Sequence, residues 1–173
     1  MEQATLGGGC FWCVDAAYRQ LKGVTELISG YAGGTGEAPS YHTVHTSDTG
    51  YAEVVQLTFD PQIITYDTIL EVFWAIHNPT TLNRQGNDVG PEYRSIILYH
   101  NQQQKAVAEK SLAAVQKLWD DPVVTELAPL KTFYPAEEEH QNFFAKHPEF
   151  GYCQVIINPK LQKLRAKFTS LLK

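Results

Sequence analysis

Three consecutive glycines, at positions 7–9, lie directly in front of a stretch whose apolar residues recur at helical spacing. The segment 3–6 before them can form a short strand, and residues 11–21 follow the three-to-four-residue repeat of a helix. Glycine allows tight turns and a close approach of neighbouring groups. The pattern predicts a strand, a glycine-rich turn and a helix that begins near Cys10 and ends at Gly23.

A second clear pattern is the alternation in residues 51–59, which predicts a strand with Glu53, Val55, Leu57 and Phe59 on one face. We expect further strands at 24–31, 96–99 and 152–157, helices at 66–77, after Asn101, at 137–146 and after Asn158, and irregular structure at 37–50. This mixture predicts an α+β fold. We expect a single-domain two-layer sandwich over residues 1–173, with helices packed on a mixed, mostly antiparallel sheet and the active site at the N-terminus of the first helix.

The composition places the chain among soluble globular proteins. Hydrophobic residues are 43% and charged residues 19% of the 173 residues, which suits one domain with a packed core. No run of 18 apolar residues exists, so we expect no membrane span and no membrane partner. The first residues lack the basic and apolar regions of a signal peptide. The net charge of −5 argues against a nucleic-acid partner, and we expect a monomer.

Three cysteines are too few, and odd in number, for a disulfide framework. We therefore expect a reducing, cytoplasmic setting in which any disulfide is transient and catalytic.

The most informative cysteine is Cys10, which follows the glycines at the predicted helix start. The unpaired backbone N–H groups and the helix dipole at that point would lower the pKa of its thiol and favour the nucleophilic thiolate. The alternative is an inert cysteine buried in a core helix.

Cys10 and Cys13 also have the spacing of a redox dithiol, as in thioredoxin-like proteins. They could instead be half of a zinc site completed by His42 and His45, although the spacing of these histidines is tighter than in zinc fingers. Otherwise the two histidines are ordinary surface residues.

Glu53 begins a strand face that is otherwise apolar. Burial there would raise the pKa of its carboxyl and let it act as a general acid. The alternative, to which we give equal weight, is that Glu53 lies at the solvated end of the strand. The loop 85–95 carries Asp88 and Tyr93, which could offer hydrogen bonds to a ligand, or it is an ordinary surface loop.

Six segments together carry a resemblance to a known family. They are GCFW at 9–12, PSY at 39–41, TGYAEVVQLTFDP at 49–61, QGNDVGPEYRS at 85–95, PAEEEHQ at 135–141 and GYCQVIINPK at 151–160. Their sequences and order resemble the A-type peptide methionine sulfoxide reductases, and they span about nine-tenths of the chain. The resemblance implies thiol-dependent reduction of the S epimer of methionine sulfoxide, free or in proteins, with no bound cofactor.

The resemblance also implies a role for each matching residue. It makes Cys10 the nucleophile and Glu53 the proton donor, with Tyr41 and Tyr93 beside the sulfoxide oxygen. It makes Phe11 and Trp12 the apolar wall for the substrate methyl group, and Asp88 a contact of the substrate backbone. It makes Cys153 the cysteine that resolves the Cys10 sulfenic acid, with Cys13 as the alternative, and a thioredoxin-type dithiol protein the external reductant.

The sequence departs from many relatives at His45, where they have Cys, and at Tyr51, where they have His; we assign neither to the chemistry. Two other functions remain open. One is a general thiol–disulfide oxidoreductase using Cys10 and Cys13, and the other is a non-catalytic module whose aromatic pocket binds methionine-like side chains.

Overall fold

A six-stranded sheet forms the centre of the computed structural model, which describes residues 1–173. Its strands are β1 (Glu2–Gly8), β2 (Val24–Ala32), β3 (Ala52–Phe59), β6 (Ser95–Tyr99), β7 (Glu126–Pro129) and β8 (Tyr134–Pro135). A separate small hairpin pairs β4 (Arg84–Gln85) with β5 (Asp88–Val89). The helices are α1 (Phe11–Tyr18), α2 (Tyr41–Thr46), α3 (Tyr66–Ile76), α4 (Gln102–Gln116), α5 (Phe143–Lys146) and α6 (Asn158–Lys167).

The strand order is β7-β6-β1-β3-β2-β8, and only β6 and β7 pair in parallel. Helices α1 and α3 pack on one face of this sheet, and α6 contacts both of these helices. The mixed, mostly antiparallel α+β fold that the sequence predicts is confirmed. None of the helices has both the length and the apolar character that crossing a membrane requires.

The alternation in β3 determines what faces the helices. Val55, Leu57 and Phe59 are fully buried in the main core beside α1, whereas Ala52 and Val54 lie in a smaller apolar cluster on the other face of the sheet. Glu53 shares the face of Val55, as the alternation predicts, so its carboxyl points toward α1.

The prediction of a strand at 152–157 is wrong, because residues 151–167 are helical and include a π-helical turn at Cys153–Ile157. Val155 is 70% exposed, while Cys153, Ile157 and Leu161 are buried at a spacing of four residues. The apolar residues thus follow a helical period that the short alternation concealed.

Two other local predictions also differ from the structure. Residues 137–146 form a 3-10 turn at Glu138–His140 and the four-residue α5, because Asn142 between them has a left-handed φ of 52°. The segment 37–50 is not wholly irregular, since Ser40 and Thr43 form a reciprocal capping box that begins α2.

Candidate active site

The glycine triplet places Cys10 at the junction of β1 and α1. Gly9 has a φ of +96°, which L side chains rarely adopt, and a Cβ there would lie 2.7 Å from Gln85 Cγ. A Cβ on Gly7 would lie 2.8 Å from the Glu53 carbonyl oxygen. Cys10 is the N-cap residue of α1 and its carbonyl accepts the Cys13 N–H at 3.1 Å. The predicted position of the first cysteine at the helix start is correct.

Burial of Cys10, which is only 8% exposed, raises the pKa of its thiol well above the ordinary value. A hydrogen bond to Cys13 and the nearby Glu53 charge also raise this pKa, and the Trp12 backbone N–H only partly opposes them. The predicted lowering of the pKa is therefore wrong for this structure, since loss of hydration outweighs the helix N-terminus. Burial therefore favours the neutral thiol at Cys10.

The pKa of the Cys13 thiol shifts in the opposite direction. Interaction with the Cys10 thiol is the main cause that lowers the pKa of Cys13 to about 7. The charge of Lys160 also lowers this pKa, whereas burial raises it. The Tyr152 hydroxyl lies 3.7 Å from the Cys13 sulfur.

Cys153 is fully buried and, like the other two cysteines, forms no disulfide. Burial is the main cause that raises the pKa of its thiol, followed by the charge of Cys13. Cys13 is thus electrostatically linked to both other thiols.

Glu53 is almost completely buried, with 1% of its side chain exposed. Its Oε1 accepts the backbone N–H of Phe11 at 3.0 Å, and its Oε2 lies 2.6 Å from His45 Nε2. Burial raises the pKa of the carboxyl, while both hydrogen bonds act in the opposite direction. Of the two interpretations of Glu53, the solvated strand end is wrong.

His45 is a component of this site that we did not assign from the sequence. Its Nδ1 lies 2.6 Å from the Tyr41 carbonyl oxygen, so the ring connects α2 to Glu53. No three His, Cys, Asp or Glu side chains are grouped as a metal ion would need. The geometry therefore does not support the zinc alternative with His42 and His45.

Tyr41 and Tyr93 both lie close to His45, with ring centroids 4.1 and 5.8 Å from the imidazole. Burial and the charge of Glu53 raise the pKa of Tyr41 to about 12 and that of Tyr93 further. Both phenols are therefore protonated at neutral pH and can donate hydrogen bonds.

The two aromatic residues after Cys10 have different surroundings. Phe11 is fully buried and packs against Tyr31 and His140, so its ring lies beneath the site. Trp12 is half-buried and stacks on Phe143 at 3.8 Å between ring centroids. Trp12 is the more accessible part of the predicted apolar wall.

Asp88 accepts a hydrogen bond of 2.7 Å from the Tyr152 hydroxyl. The first turn of the C-terminal helical segment therefore lies over Cys13 and beside Asp88. A ligand that binds to Asp88 must compete with Tyr152 for this carboxylate.

Several site residues have no assignment from the sequence: His45, Glu137, His140, Phe143 and Tyr152. Glu137 accepts the Tyr31 hydroxyl at 3.0 Å and the Tyr41 backbone N–H at 2.9 Å, which anchors the start of α2. His140 stacks on Tyr41 with centroids 4.3 Å apart. The segment PAEEEHQ could have pointed to Glu137 and His140. It is one of the segments that carry the resemblance, although none of its residues received a role.

Comparison with known proteins gives one family. The family model for peptide methionine sulfoxide reductase matches residues 2–172. A relative from Polynucleobacter asymbioticus, peptide methionine sulfoxide reductase MsrA, is 51% identical over 99% of this chain and 92% of its own length.

Solved structures agree with this result. Reduced Mxr1 from Saccharomyces cerevisiae has a TM-score of 0.82 and 35% identity, covering 88% of both chains. Mxr1 in complex with Trx2 has a TM-score of 0.58 and 27% identity, covering 82% of this chain and 84% of that one. This chain belongs to the peptide methionine sulfoxide reductase family.

Proposed function

We propose that this protein reduces the S epimer of methionine sulfoxide, free or within proteins, to methionine. The observation that carries this proposal is the placement of Glu53, whose buried carboxyl binds the backbone N–H of the residue directly after Cys10. A nucleophile and a proton donor therefore lie close together, with two phenols near the imidazole that contacts the carboxyl.

In the first step the Cys10 sulfur attacks the sulfoxide sulfur while Glu53 protonates the sulfoxide oxygen. The attack forms a transient S–S bond between Cys10 and the substrate. This S–S bond and the substrate S–O bond then break as the hydroxyl group passes to the Cys10 sulfur. The substrate sulfur gains the two electrons that the Cys10 sulfur loses, so methionine leaves and Cys10 becomes a sulfenic acid. Tyr41 and Tyr93 donate hydrogen bonds to the oxygen as its charge develops.

Since burial favours the neutral thiol at Cys10, its proton leaves as the thiol becomes the nucleophile. The thiol releases one proton and the sulfenic acid retains one from Glu53, so the step has no net proton uptake. Trp12 provides an apolar surface for the substrate methyl group, which directs the oxygen of one epimer toward Glu53.

For the second step we propose that Cys13 attacks the Cys10 sulfur and that Cys153 then exchanges into the resulting disulfide. The Cys10 S–O bond breaks, its hydroxyl takes the proton of the Cys13 thiol and leaves as water, and a Cys10–Cys13 bond forms. This order differs from the expectation that Cys153 acts first. It is supported by the position of Cys13 in the first turn after Cys10, where its N–H donates to the Cys10 carbonyl oxygen at 3.1 Å, and by the full burial of Cys153.

A thioredoxin-type dithiol protein is the proposed reductant that restores the thiols. The solved complex of yeast Mxr1 with Trx2 supports this partner. All electrons come from cysteine thiols, so the reaction requires no bound cofactor. The cytoplasm is the proposed compartment, because three unpaired thiols need a reducing setting.

The direct test supplies racemic methionine sulfoxide and dithiothreitol to the wild type and to Cys10→Ser, with chiral analysis of the sulfoxide that remains. We expect the wild type to consume only the S epimer and Cys10→Ser to consume neither. Loss of both epimers would overturn the assignment of stereochemistry. Wild-type activity that reduces disulfides but leaves the sulfoxide intact would favour the general oxidoreductase instead.

A further inference from the structure

The hydrogen bonds of His45 fix the number of protons that it shares with Glu53. The Tyr41 carbonyl oxygen can only accept, so His45 Nδ1 carries a hydrogen at that 2.6 Å contact. His45 Nε2 and Glu53 Oε2 lie 2.6 Å apart and require one hydrogen between them. Either a neutral imidazole accepts from a carboxylic acid, or an imidazolium donates to a carboxylate, and both arrangements contain one shared proton.

The two side chains differ in their access to water. Glu53 is 1% exposed, whereas the side chain of His45 is 17% exposed. The carboxyl therefore has no direct contact with solvent that could return a proton to it. His45 connects Glu53 to the surface of α2.

We propose that His45 is a positioning residue that shares one proton with Glu53 and so keeps this carboxyl able to protonate the sulfoxide oxygen at neutral pH. The inference rests on the proposed function, in which Glu53 is the proton donor. His45 itself does not contact the reacting atoms and acts through Glu53.

The surroundings of the pair favour retention of this proton. Burial of Glu53 raises the pKa of its carboxyl, and the hydrogen bonds of His45 raise the pKa of its imidazole despite desolvation. The titratable groups that face the pair are Cys10, Tyr31, Tyr41, Glu92, Tyr93 and His140.

The proton balance of the reaction also determines what the His45–Glu53 pair must do between turnovers. When Glu53 gives its proton to the oxygen, Oε2 and a neutral Nε2 are left as two acceptors facing each other. This arrangement is unfavourable, so the pair takes up one proton before the next turnover. The proton comes from the Cys10 thiol or from water through the exposed edge of His45.

The test is the pH profile of methionine formation in a single turnover, with excess sulfoxide and no reductant, for the wild type and His45→Gln. A glutamine amide can donate to Glu53 Oε2 but cannot share a proton, so it favours the carboxylate. We expect the alkaline limb in His45→Gln to move to lower pH by about one unit. The rate should fall about tenfold at pH 8 and stay within about twofold of the wild type at pH 5.5.

A second variant, His45→Ala, leaves a part-exposed space beside Glu53. We expect imidazole to restore its rate at pH 8 in a saturable manner. The matched control is His42→Ala, in the same helix, because His42 is exposed and its side chain makes no hydrogen bond. It should keep the wild-type profile and show no response to imidazole.

A His45→Gln rate that falls equally at every pH, together with no rescue of His45→Ala by imidazole, would reduce His45 to a structural role. Variants with the wild-type rate and profile would also overturn the proposal. If the wild type formed no methionine, the proposed function would fail instead, so the two failures are distinguishable.

Discussion

The backbone N–H of Phe11 donates to Glu53 Oε1 at 3.0 Å, which joins the start of α1 to β3 across 42 residues of sequence. Because Phe11 directly follows Cys10, this bond fixes the carboxyl relative to the nucleophile. The same carboxyl uses its other oxygen for His45. The proton donor is therefore positioned by two elements that approach it from different sides.

Replacement of Glu53 by Gln should slow the first chemical step by about 10² to 10⁴ fold, the usual range for loss of a general acid. The amide oxygen of the new side chain can still accept the Phe11 N–H, so the fold and the position of Cys10 should be preserved. Rapid-quench measurement of methionine formation against pH gives the result. A Glu53→Gln profile that retains the alkaline limb of the wild type would count against the acid role.

The order of thiol exchange can be read from peptide mapping after one turnover. Cys153→Ser should still form a Cys10–Cys13 disulfide, whereas Cys13→Ser should accumulate sulfenic acid at Cys10. Rapid alkylation before digestion controls for disulfide exchange during handling. A Cys10–Cys153 bond with free Cys13 at the earliest time point would restore the order expected from the sequence.

Gly9→Ala should destabilise the protein by about 1–3 kcal/mol, because alanine is strained at a φ of +96° and its Cβ would contact Gln85. Gly151→Ala is the matched control, since nothing lies within 4 Å of a Cβ there and its φ is not positive. Urea unfolding of both variants gives the comparison. Equal stability of the two variants would show that the glycine at the junction has no conformational requirement.

Because His77 is buried, we expect the free energy of unfolding to fall in acid. Burial lowers the pKa of its imidazole from 6.5 to about 4, while its Nε2 accepts from the Ser95 hydroxyl at 2.7 Å. The unfolded chain therefore binds more protons than the folded one between these values, so stability falls as pH drops from about 6.5 to about 4.

The total effect should be no more than about 3.4 kcal/mol, which is about 1.36 kcal/mol for each of the roughly 2.5 pH units between 6.5 and 4. Urea unfolding across this pH window should show a smaller slope in His77→Gln than in the wild type. Identical slopes would assign the acid sensitivity to other groups.

The sequence predicted the parts of the site that depend on local patterns. The alternation in β3 gave the correct face for Glu53, and the glycine triplet gave the correct position for Cys10. The predicted direction of the Cys10 pKa shift is wrong, because this direction depends on burial by residues that are distant in the sequence.

Local sequence patterns do not predict contacts between segments that are distant in the sequence. The Tyr152–Asp88 hydrogen bond spans 64 residues, and Tyr152 lies in a segment that the sequence predicts as a strand and the structure shows as a helix. The bond from His45 to Glu53 depends on how α2 packs beside β3, which the spacing of the two residues does not encode.

The most direct test of the account uses the double variant Cys13→Ser/Cys153→Ser with methionine sulfoxide and no reductant. We predict one methionine per protein molecule, with the mass of one oxygen atom added to the peptide that contains Cys10 and capture of that peptide by a sulfenic-acid reagent. Formation of methionine without oxidation of Cys10 would contradict the account.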